Sequence, residues 1–117
     1  MGVKELAYII KIYEKKNKGI PFNDWLQDQD VTIRAKIRAK IDRMSLGNLG
    51  DSEPVGNSVW EIKIDIGPGY RIYYSMVGKI IILIISAGTK RTQKKDIEKA
   101  KEYLEDYKMR GIIYGKK

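Results

Sequence analysis

The residues best suited to chemistry lie on and beside a series of predicted strands in the second half of the chain. Glu61 and Lys63 alternate with isoleucines on one strand, and Arg71 and Tyr73 lie on the strand that follows. Side chains two positions apart share a face of a strand, so these four are expected on one exposed surface. With Lys90 just beyond the last strand, they would form a groove suited to a phosphate group, because guanidinium and ammonium groups bind phosphate oxygens well.

The same pattern also has an ordinary structural explanation. The outer face of a sheet is usually polar, and Glu–Lys pairs between neighbouring strands are routine. Arg91, next to Lys90, fits either explanation, since it would close the rim of a groove or simply face solvent. Spacing therefore leaves both a phosphate-binding groove and a solvated sheet face open.

The composition restricts the chemistry that any site here can use. Among 117 residues there is no cysteine and no histidine, so we expect no disulfide, no thiolate or imidazole metal site and no serine–histidine nucleophile. Catalysis would have to use Lys, Arg, Tyr, Asp or Glu, and we expect no cofactor. The formal net charge of +8, from 23 Lys and Arg against 15 Asp and Glu, favours a polyanionic partner such as nucleic acid.

The second predicted helix is the most basic element. Between Val31 and Leu46, apolar residues recur at helical spacing and define a buried stripe. The cations on its other sides are Arg34, Lys36, Arg38, Lys40 and Arg43. They are candidates for contact with RNA, although such charges are also typical of a solvated helix face.

The order of the elements predicts the fold class. The predicted elements are a strand at Leu6–Tyr13, helices at Pro21–Leu26 and Val31–Leu46, strands at Val59–Ile66, Tyr70–Val77 and Lys79–Ala87, and a helix at about Thr92–Met109. A loop with Pro54 and Gly56 precedes the second strand, and short turns make the last three strands an antiparallel meander with the all-apolar strand at its centre. We predict one α+β domain over residues 1–117, with the order β-α-α-β-β-β-α, an antiparallel sheet and a loose tail from Arg110.

Membrane insertion is not expected. The longest apolar run, Ile80–Ile85, is far shorter than the roughly 20 residues that span a bilayer. Lys4 and Glu5 stand where a secretion signal would need apolar residues. We therefore expect a cytosolic protein.

Several segments together resemble the "addiction module killer protein" branch of the RelE/ParE toxin superfamily, which includes HigB-like toxins. The segments are residues 34–37, 47–51, 55–56, 59–74, 88–93 and 96–100. The most specific part is Glu-Ile-Lys-Ile-Asp at 61–65 followed by Gly-Pro-Gly-Tyr-Arg-Ile-Tyr-Tyr at 67–74. The resemblance spans about Asp24 to Tyr103, and it implies a RelE-like fold and the toxin component of a type II toxin–antitoxin system.

The resemblance also implies an activity. Such toxins enter the ribosomal A site and cleave mRNA without a metal, using the ribose 2′-hydroxyl as nucleophile and leaving a cyclic phosphate or a 3′-phosphate. Lys63 matches a strand lysine of RelE, Arg71 matches its transition-state arginine, and Lys90 falls where RelE has a second arginine. Glu61 stands where RelE has another lysine, and Tyr73 is the candidate to replace RelE's helix tyrosine.

These matches predict a role for each residue. Arg71 would hold the scissile phosphate, and Lys63 would act as the base because neighbouring cations disfavour its charged form. Glu61 is the rival base, and Lys90 would neutralise the leaving oxygen. The ribosome would orient the message, while the basic second helix would contact ribosomal RNA.

Two other functions also fit the sequence. A ParE-like toxin would share the fold but inhibit DNA gyrase by protein contact, and a plain RNA-binding module would need no catalytic groups. The match of Lys63, Arg71 and Lys90 favours the ribonuclease over the gyrase inhibitor. As a toxin, the chain would need a cognate antitoxin, for which we expect an acidic helix-turn-helix protein that masks the +8 charge.

Overall fold

A computed structural model describes residues 7–114 of the chain, and the side chains of residues 7–111. Its elements are β1 (Ile9–Ile12), α1 (Pro21–Gln27), α2 (Val31–Ser45), β2 (Ser52–Gly56), β3 (Val59–Ile64), β4 (Tyr70–Met76), β5 (Ile81–Thr89), a 3₁₀ turn (Lys90–Thr92) and α3 (Gln93–Tyr114). Mixed strands and helices in this order confirm the α+β class.

The five strands form one sheet in the order β1-β5-β4-β3-β2. Strands β2 to β5 are antiparallel to their neighbours, as the short turns between them require. The prediction of a wholly antiparallel sheet is wrong, because β1 pairs with β5 in parallel, with Ile9 opposite Ile81. A parallel pair needs a long connection, and here the two helices and three strands between β1 and β5 provide it.

Strand β2 is an element that the sequence pattern did not predict. Ser52–Gly56 pairs with β3 at the edge of the sheet, and the register shifts between Pro54 and Gly56. An edge strand tolerates proline because one side of its backbone needs no hydrogen-bonding partner. The predicted loop with Pro54 and Gly56 is therefore a strand, and the order is β-α-α-β-β-β-β-α.

One face of the sheet packs against α1 and α2. Phe22 and Leu26 of α1 and Ile37 of α2 are buried there against the isoleucine side of β3 and β4. Asp30 caps α2, since its carboxylate accepts a 3.0 Å hydrogen bond from the backbone N–H of Ile33. This half of the fold matches the sequence prediction.

The other face packs against α3. Ala100 and Leu104 of α3 are buried there with Val59, Leu83 and Ile85. Strand β5 is apolar from Ile81 to Ile85 because its alternate residues enter the two cores on opposite faces. The prediction that it is covered on both faces is confirmed, but its predicted central position is wrong by one strand, because β4 is the middle strand. The sheet is thus the central layer of three.

Helix α3 is longer than predicted and continues to Tyr114. Arg110, where a loose tail was predicted, bonds through Nε to Asp106 at 3.1 Å and also donates to the backbone carbonyl of Glu14. Residues 110–114 of the predicted tail are thus helical, and residues 115–117 of that tail lie outside the described part. None of the helices described here combines the length and apolarity needed to cross a bilayer.

Candidate functional site

Charged residues form a regular arrangement on the α3 face of the sheet. In the register of β2, β3 and β4, Glu53 lies opposite Glu61, and Lys63 lies opposite Arg71. Like charges opposite each other are unfavourable, so the contacts run diagonally. Lys63 Nζ lies 3.3 Å from Glu53, and Arg71 Nε lies 3.2 Å from Glu61.

Glu61 is the most deeply buried charged residue of this arrangement, with 1% of its surface exposed. Besides Arg71, it accepts hydrogen bonds from Gln93 Nε2, at 2.8 Å to one carboxylate oxygen and 3.0 Å to the other. A buried carboxylate is costly unless it is paired and hydrogen-bonded, and Glu61 is both. Its lone pairs are therefore largely committed to neighbouring side chains.

Arg71 is buried as well, with 8% exposed, yet only its Nε bonds to Glu61. A Cβ atom on Gly69 would lie 3.5 Å from Arg71 Nη1 and 3.8 Å from Lys90 Cβ. Gly69 has a φ of +82°, which glycine adopts without strain. Gly69, in the turn before β4, thus lies beside both Arg71 Nη1 and the base of the Lys90 side chain at one end of the sheet.

Tyr73 is fully buried beneath α3. Its hydroxyl has no hydrogen-bond partner among the described residues, and neither does that of Ser86, its partner in the register of β4 and β5. Burial, and then the negative charges of Glu61 and Asp96, raise the pKa of Tyr73 well above its usual range. The tyrosine therefore stays protonated at neutral pH.

Asp96 closes the cluster from α3. It accepts a 2.5 Å hydrogen bond from Thr92 Oγ1, and its carboxylate rests on the backbone of β5 at Gly88. A Cβ on Gly88 would lie 1.9 Å from Asp96 Oδ2, so any larger residue there would displace the Asp96 carboxylate from this position. Burial raises the pKa of Asp96, although the Thr92 hydrogen bond and the charge of Lys95 oppose the shift. We call Glu61, Arg71, Tyr73, Gln93 and Asp96 the Arg71 cluster.

The structure therefore corrects one sequence prediction. Glu61, Arg71 and Tyr73 do share a face with Lys63, as predicted, but that face is not an exposed surface. The alternation shows which side chains share a face of the sheet, but it does not show whether another element covers that face. Here α3 covers it, because a sheet with apolar residues such as Val59 and Leu83 on its second face also needs a second helical layer.

The remaining predicted residues of the groove are more accessible. The Lys63 side chain is 28% exposed, and Lys90 and Arg91 are exposed on the 3₁₀ turn. Arg91 also lines a cavity of about 480 Å³, together with Thr92, Lys94, Lys95 and Glu98. We call Lys63, Lys90, Arg91, Lys94 and Lys95 the basic rim, and it borders the Arg71 cluster at the end of the sheet where Lys90 lies.

The basic residues of α2 lie in the other helical layer, across the sheet from the Arg71 cluster. Lys36, Arg38 and Arg43 are exposed, and Lys40 is half-buried. Arg34 is also half-buried and donates to the backbone carbonyl of Gln29, so part of its charge serves the start of α2. The structure does not bring these cations together with Arg71.

Sequence reasoning missed Glu53, Gln93 and Asp96. A signal for Gln93 exists, because positions 93, 97, 100 and 104 repeat at helical spacing and continue the inner stripe of α3. A glutamine on a buried stripe indicates a polar partner on the facing strand. Within residues 7–111, no group of three or more acidic side chains lies close enough to hold a metal ion.

Two comparisons relate the chain to known proteins. Residues 24–105 match the family model described as "Phage derived protein Gp49-like (DUF891)". An uncharacterized protein of Haemophilus influenzae is 37% identical over 83 residues, which make up 70% of this chain and 84% of that protein. The region matched by the family model begins in α1 and ends in α3, so it includes the whole Arg71 cluster.

Proposed function

Since the chain belongs to the Gp49-like family of phage-derived proteins, a family associated with toxin–antitoxin systems, we propose that it is the toxin of such a pair and that it cleaves RNA. The observation that carries this proposal is that Arg71 Nη1 and the Cβ of Lys90 both lie beside Gly69, with Lys63 directly opposite Arg71 on the neighbouring strand. Lys63 and Arg71 are each paired with one carboxylate, Glu53 and Glu61. Lys90 is exposed, however, and the terminal nitrogens of Arg71 bond to neither oxygen of Glu61, so these groups have donors left for an RNA phosphate.

The proposed reaction follows from this placement. The ribose 2′-oxygen attacks the adjacent phosphorus, the bond from phosphorus to the 5′-oxygen breaks, and a cyclic phosphate and a 5′-hydroxyl result. Arg71 stabilises the charge on the phosphate oxygens through its terminal nitrogens, and Lys90 lies beside the leaving oxygen. One base takes the 2′-hydroxyl proton, and a proton passes to the leaving oxygen.

The environment of Glu61 makes it a poor candidate for that base. Its carboxylate is 1% exposed and already accepts hydrogen bonds from Arg71 and Gln93. A general base must reach the proton that it removes, so Lys63, which is partly exposed, is the better candidate. Tyr73 is removed from the proposed mechanism, because its hydroxyl is buried beneath α3.

More specifically, we propose a RelE- or HigB-like toxin that cleaves mRNA on translating ribosomes. In this proposal the basic rim and Arg71 contact the message, while Lys36, Arg38 and Arg43 of α2 contact ribosomal RNA. The two sets lie in opposite helical layers, which suits simultaneous contact with two different strands. The partner that restrains the toxin is an acidic antitoxin, since the formal charge of +8 favours one.

A second candidate is a toxin without nuclease activity, such as a ParE-like gyrase inhibitor, or a non-catalytic RNA-binding module. The observation in its favour is the burial of Arg71, which is 8% exposed and paired with Glu61. An arginine held in this way can serve the fold alone, by anchoring α3 to the sheet through Glu61 and Gln93. RNA cleavage therefore has to be measured directly.

The experiment is controlled expression of the chain, followed by primer extension on abundant messages and by electrophoresis of a reporter plasmid. We expect growth arrest, new 5′ ends inside translated coding regions and unchanged plasmid supercoiling. Intact messages with altered supercoiling would assign the chain to the gyrase-inhibiting class. If messages stay intact and supercoiling is unchanged while the protein still binds RNA, the chain is a non-catalytic RNA-binding module.

A further inference from the structure

Arg71 contacts its carboxylate partner in an unusual manner. An arginine that only neutralises a carboxylate commonly uses two parallel N–H groups, because the fork matches both oxygens. Here the contact to Glu61 is made by Nε, at 3.2 Å, and among the described residues neither terminal nitrogen has a hydrogen-bond partner. The side of the guanidinium that best fits a phosphate is thus left without a protein ligand.

Gln93 fixes the carboxylate in that contact. Its Nε2 lies 2.8 and 3.0 Å from the two oxygens of Glu61, so it holds the carboxylate from α3 while Arg71 approaches from β4. Glu61 is 1% exposed, and water cannot compete for these bonds. The direction in which the guanidinium points therefore depends on a residue of a different helix.

We propose that Gln93 and Glu61 are positioning residues, which lock the Arg71 guanidinium so that its terminal nitrogens face the RNA phosphate. This inference rests on the proposed ribonuclease function and extends it to a residue that touches neither substrate nor reacting atoms. It also assigns Glu61 a role other than that of base. Displacement of a catalytic group by about 1 Å can cost roughly a hundredfold in rate, so such a lock has a large effect.

The test compares Gln93→Leu with Gln27→Leu, the same change at an exposed position of α1. The first measurement is the rate of hydrogen exchange of the Arg71 Nε–H group, by NMR in the absence of RNA. The second is single-turnover RNA cleavage, which gives the cleavage rate at saturation and the concentration for half-saturation. For Gln93→Leu we expect faster exchange and a saturated rate lower by about tenfold or more, with half-saturation changed less than about twofold. Gln27→Leu should leave both properties unchanged.

A swap of the two side chains separates positioning from stability. In the double variant Glu61→Gln/Gln93→Glu, the new amide at position 61 can accept from Arg71 Nε and donate to the new carboxylate at position 93. We expect it to recover much of the slow exchange and of the rate lost in Glu61→Gln alone, where Gln93 faces another amide donor. This variant also keeps the cluster polar if Gln93→Leu folds poorly.

The outcomes distinguish the two proposals. Unchanged Arg71 exchange in folded Gln93→Leu, or a wild-type saturated rate in that variant, would overturn the positioning role. A wild-type protein that fails to cleave RNA would overturn the ribonuclease function, while the exchange measurement would still decide whether Gln93 orients Arg71. The positioning role would also be contradicted if Arg71 Nε–H exchanged as fast in Glu61→Gln/Gln93→Glu as in Glu61→Gln alone.

Discussion

Arg71 donates a hydrogen bond through Nε to Glu61 across the β3–β4 pair, and both side chains lie beneath the start of α3. The pair gives the second face of the sheet a buried charged centre beside the apolar residues that pack against α3. Breaking a buried pair by removing one partner is strongly destabilising, by about 3–5 kcal/mol. Variants of Arg71 therefore have to be chosen so that Glu61 is not left alone.

Tyr73→Phe should increase stability and leave function intact. The buried hydroxyl forms no hydrogen bond of ordinary geometry among the described residues, and the nearby Glu61 carboxylate compensates its desolvation only in part. We expect the free energy of unfolding in urea to rise by about 1 kcal/mol and the RNA cleavage rate to stay within about twofold of wild type. A rate lowered by tenfold or more in folded protein would return Tyr73 to the mechanism.

Gly88→Ala should destabilise the protein. A Cβ at this position would lie 1.9 Å from Asp96 Oδ2 and 3.1 Å from Thr92 Oγ1, so the Asp96 carboxylate must move and its hydrogen bond with Thr92 is disturbed. We expect a loss of about 2 kcal/mol or more in the free energy of unfolding, as for other overpacked sites. Gly111→Ala in α3 is the matched control, because a Cβ there would have no neighbour within 4 Å, and it should stabilise the helix by about 0.5–1 kcal/mol. Equal effects of the two changes would contradict the close contact of Asp96 with Gly88.

Because of Asp96, the free energy of unfolding should fall as the pH rises through the acid range. Burial raises its pKa above the ordinary value of 3.8, so the folded state binds this proton more tightly than the unfolded state. Stability then decreases with increasing pH from the unfolded-state pKa up to the raised folded-state pKa. Asp96→Asn keeps an acceptor for Thr92 but cannot ionise, so its unfolding free energy, measured in urea across pH, should lack this decrease. Parallel pH profiles for wild type and variant would refute the assignment.

Much of the fold could be predicted from the sequence, because it depends on periodicity. The isoleucines of β3 and β4 and the apolar stripe of α2 identified one core correctly. Strand β2 was missed because Pro54 and Gly56 are typical of loops, and only its position at the sheet edge permits a strand there. The parallel pairing of β1 with β5 depends on long-range packing that no local pattern encodes.

The candidate site was predicted less completely. Alternation correctly placed Glu61, Lys63, Arg71 and Tyr73 on one face. It did not reveal that α3 buries three of them, since burial depends on which layer covers a face. The contributions of Gln93 and Asp96 come from a helix that is distant in sequence from β3, so spacing alone could not connect them to Glu61.

Lys36→Ala should weaken binding to ribosomes without affecting the chemical step. Lys36 is exposed on α2, in the layer opposite the Arg71 cluster. If it contacts an RNA phosphate, its loss should reduce the salt dependence of binding by about one unit of slope and leave single-turnover cleavage at saturation unchanged. Lys79→Ala, at the exposed turn between β4 and β5, is the control and should change neither. An unaltered binding curve for Lys36→Ala would exclude Lys36 from the ribosome contact.

The central claim is that Arg71 stabilises the phosphate during RNA cleavage, and single-turnover cleavage of mRNA on programmed ribosomes at saturating toxin tests it most directly. Arg71→Lys keeps a cation beside Glu61 but loses the two-pronged phosphate contact, and Glu61→Leu/Arg71→Met replaces the buried pair with apolar side chains. With circular dichroism showing folded protein, we predict cleavage slower by about tenfold or more for Arg71→Lys and by about a hundredfold or more for the double variant. Wild-type cleavage rates in either folded variant would contradict the account.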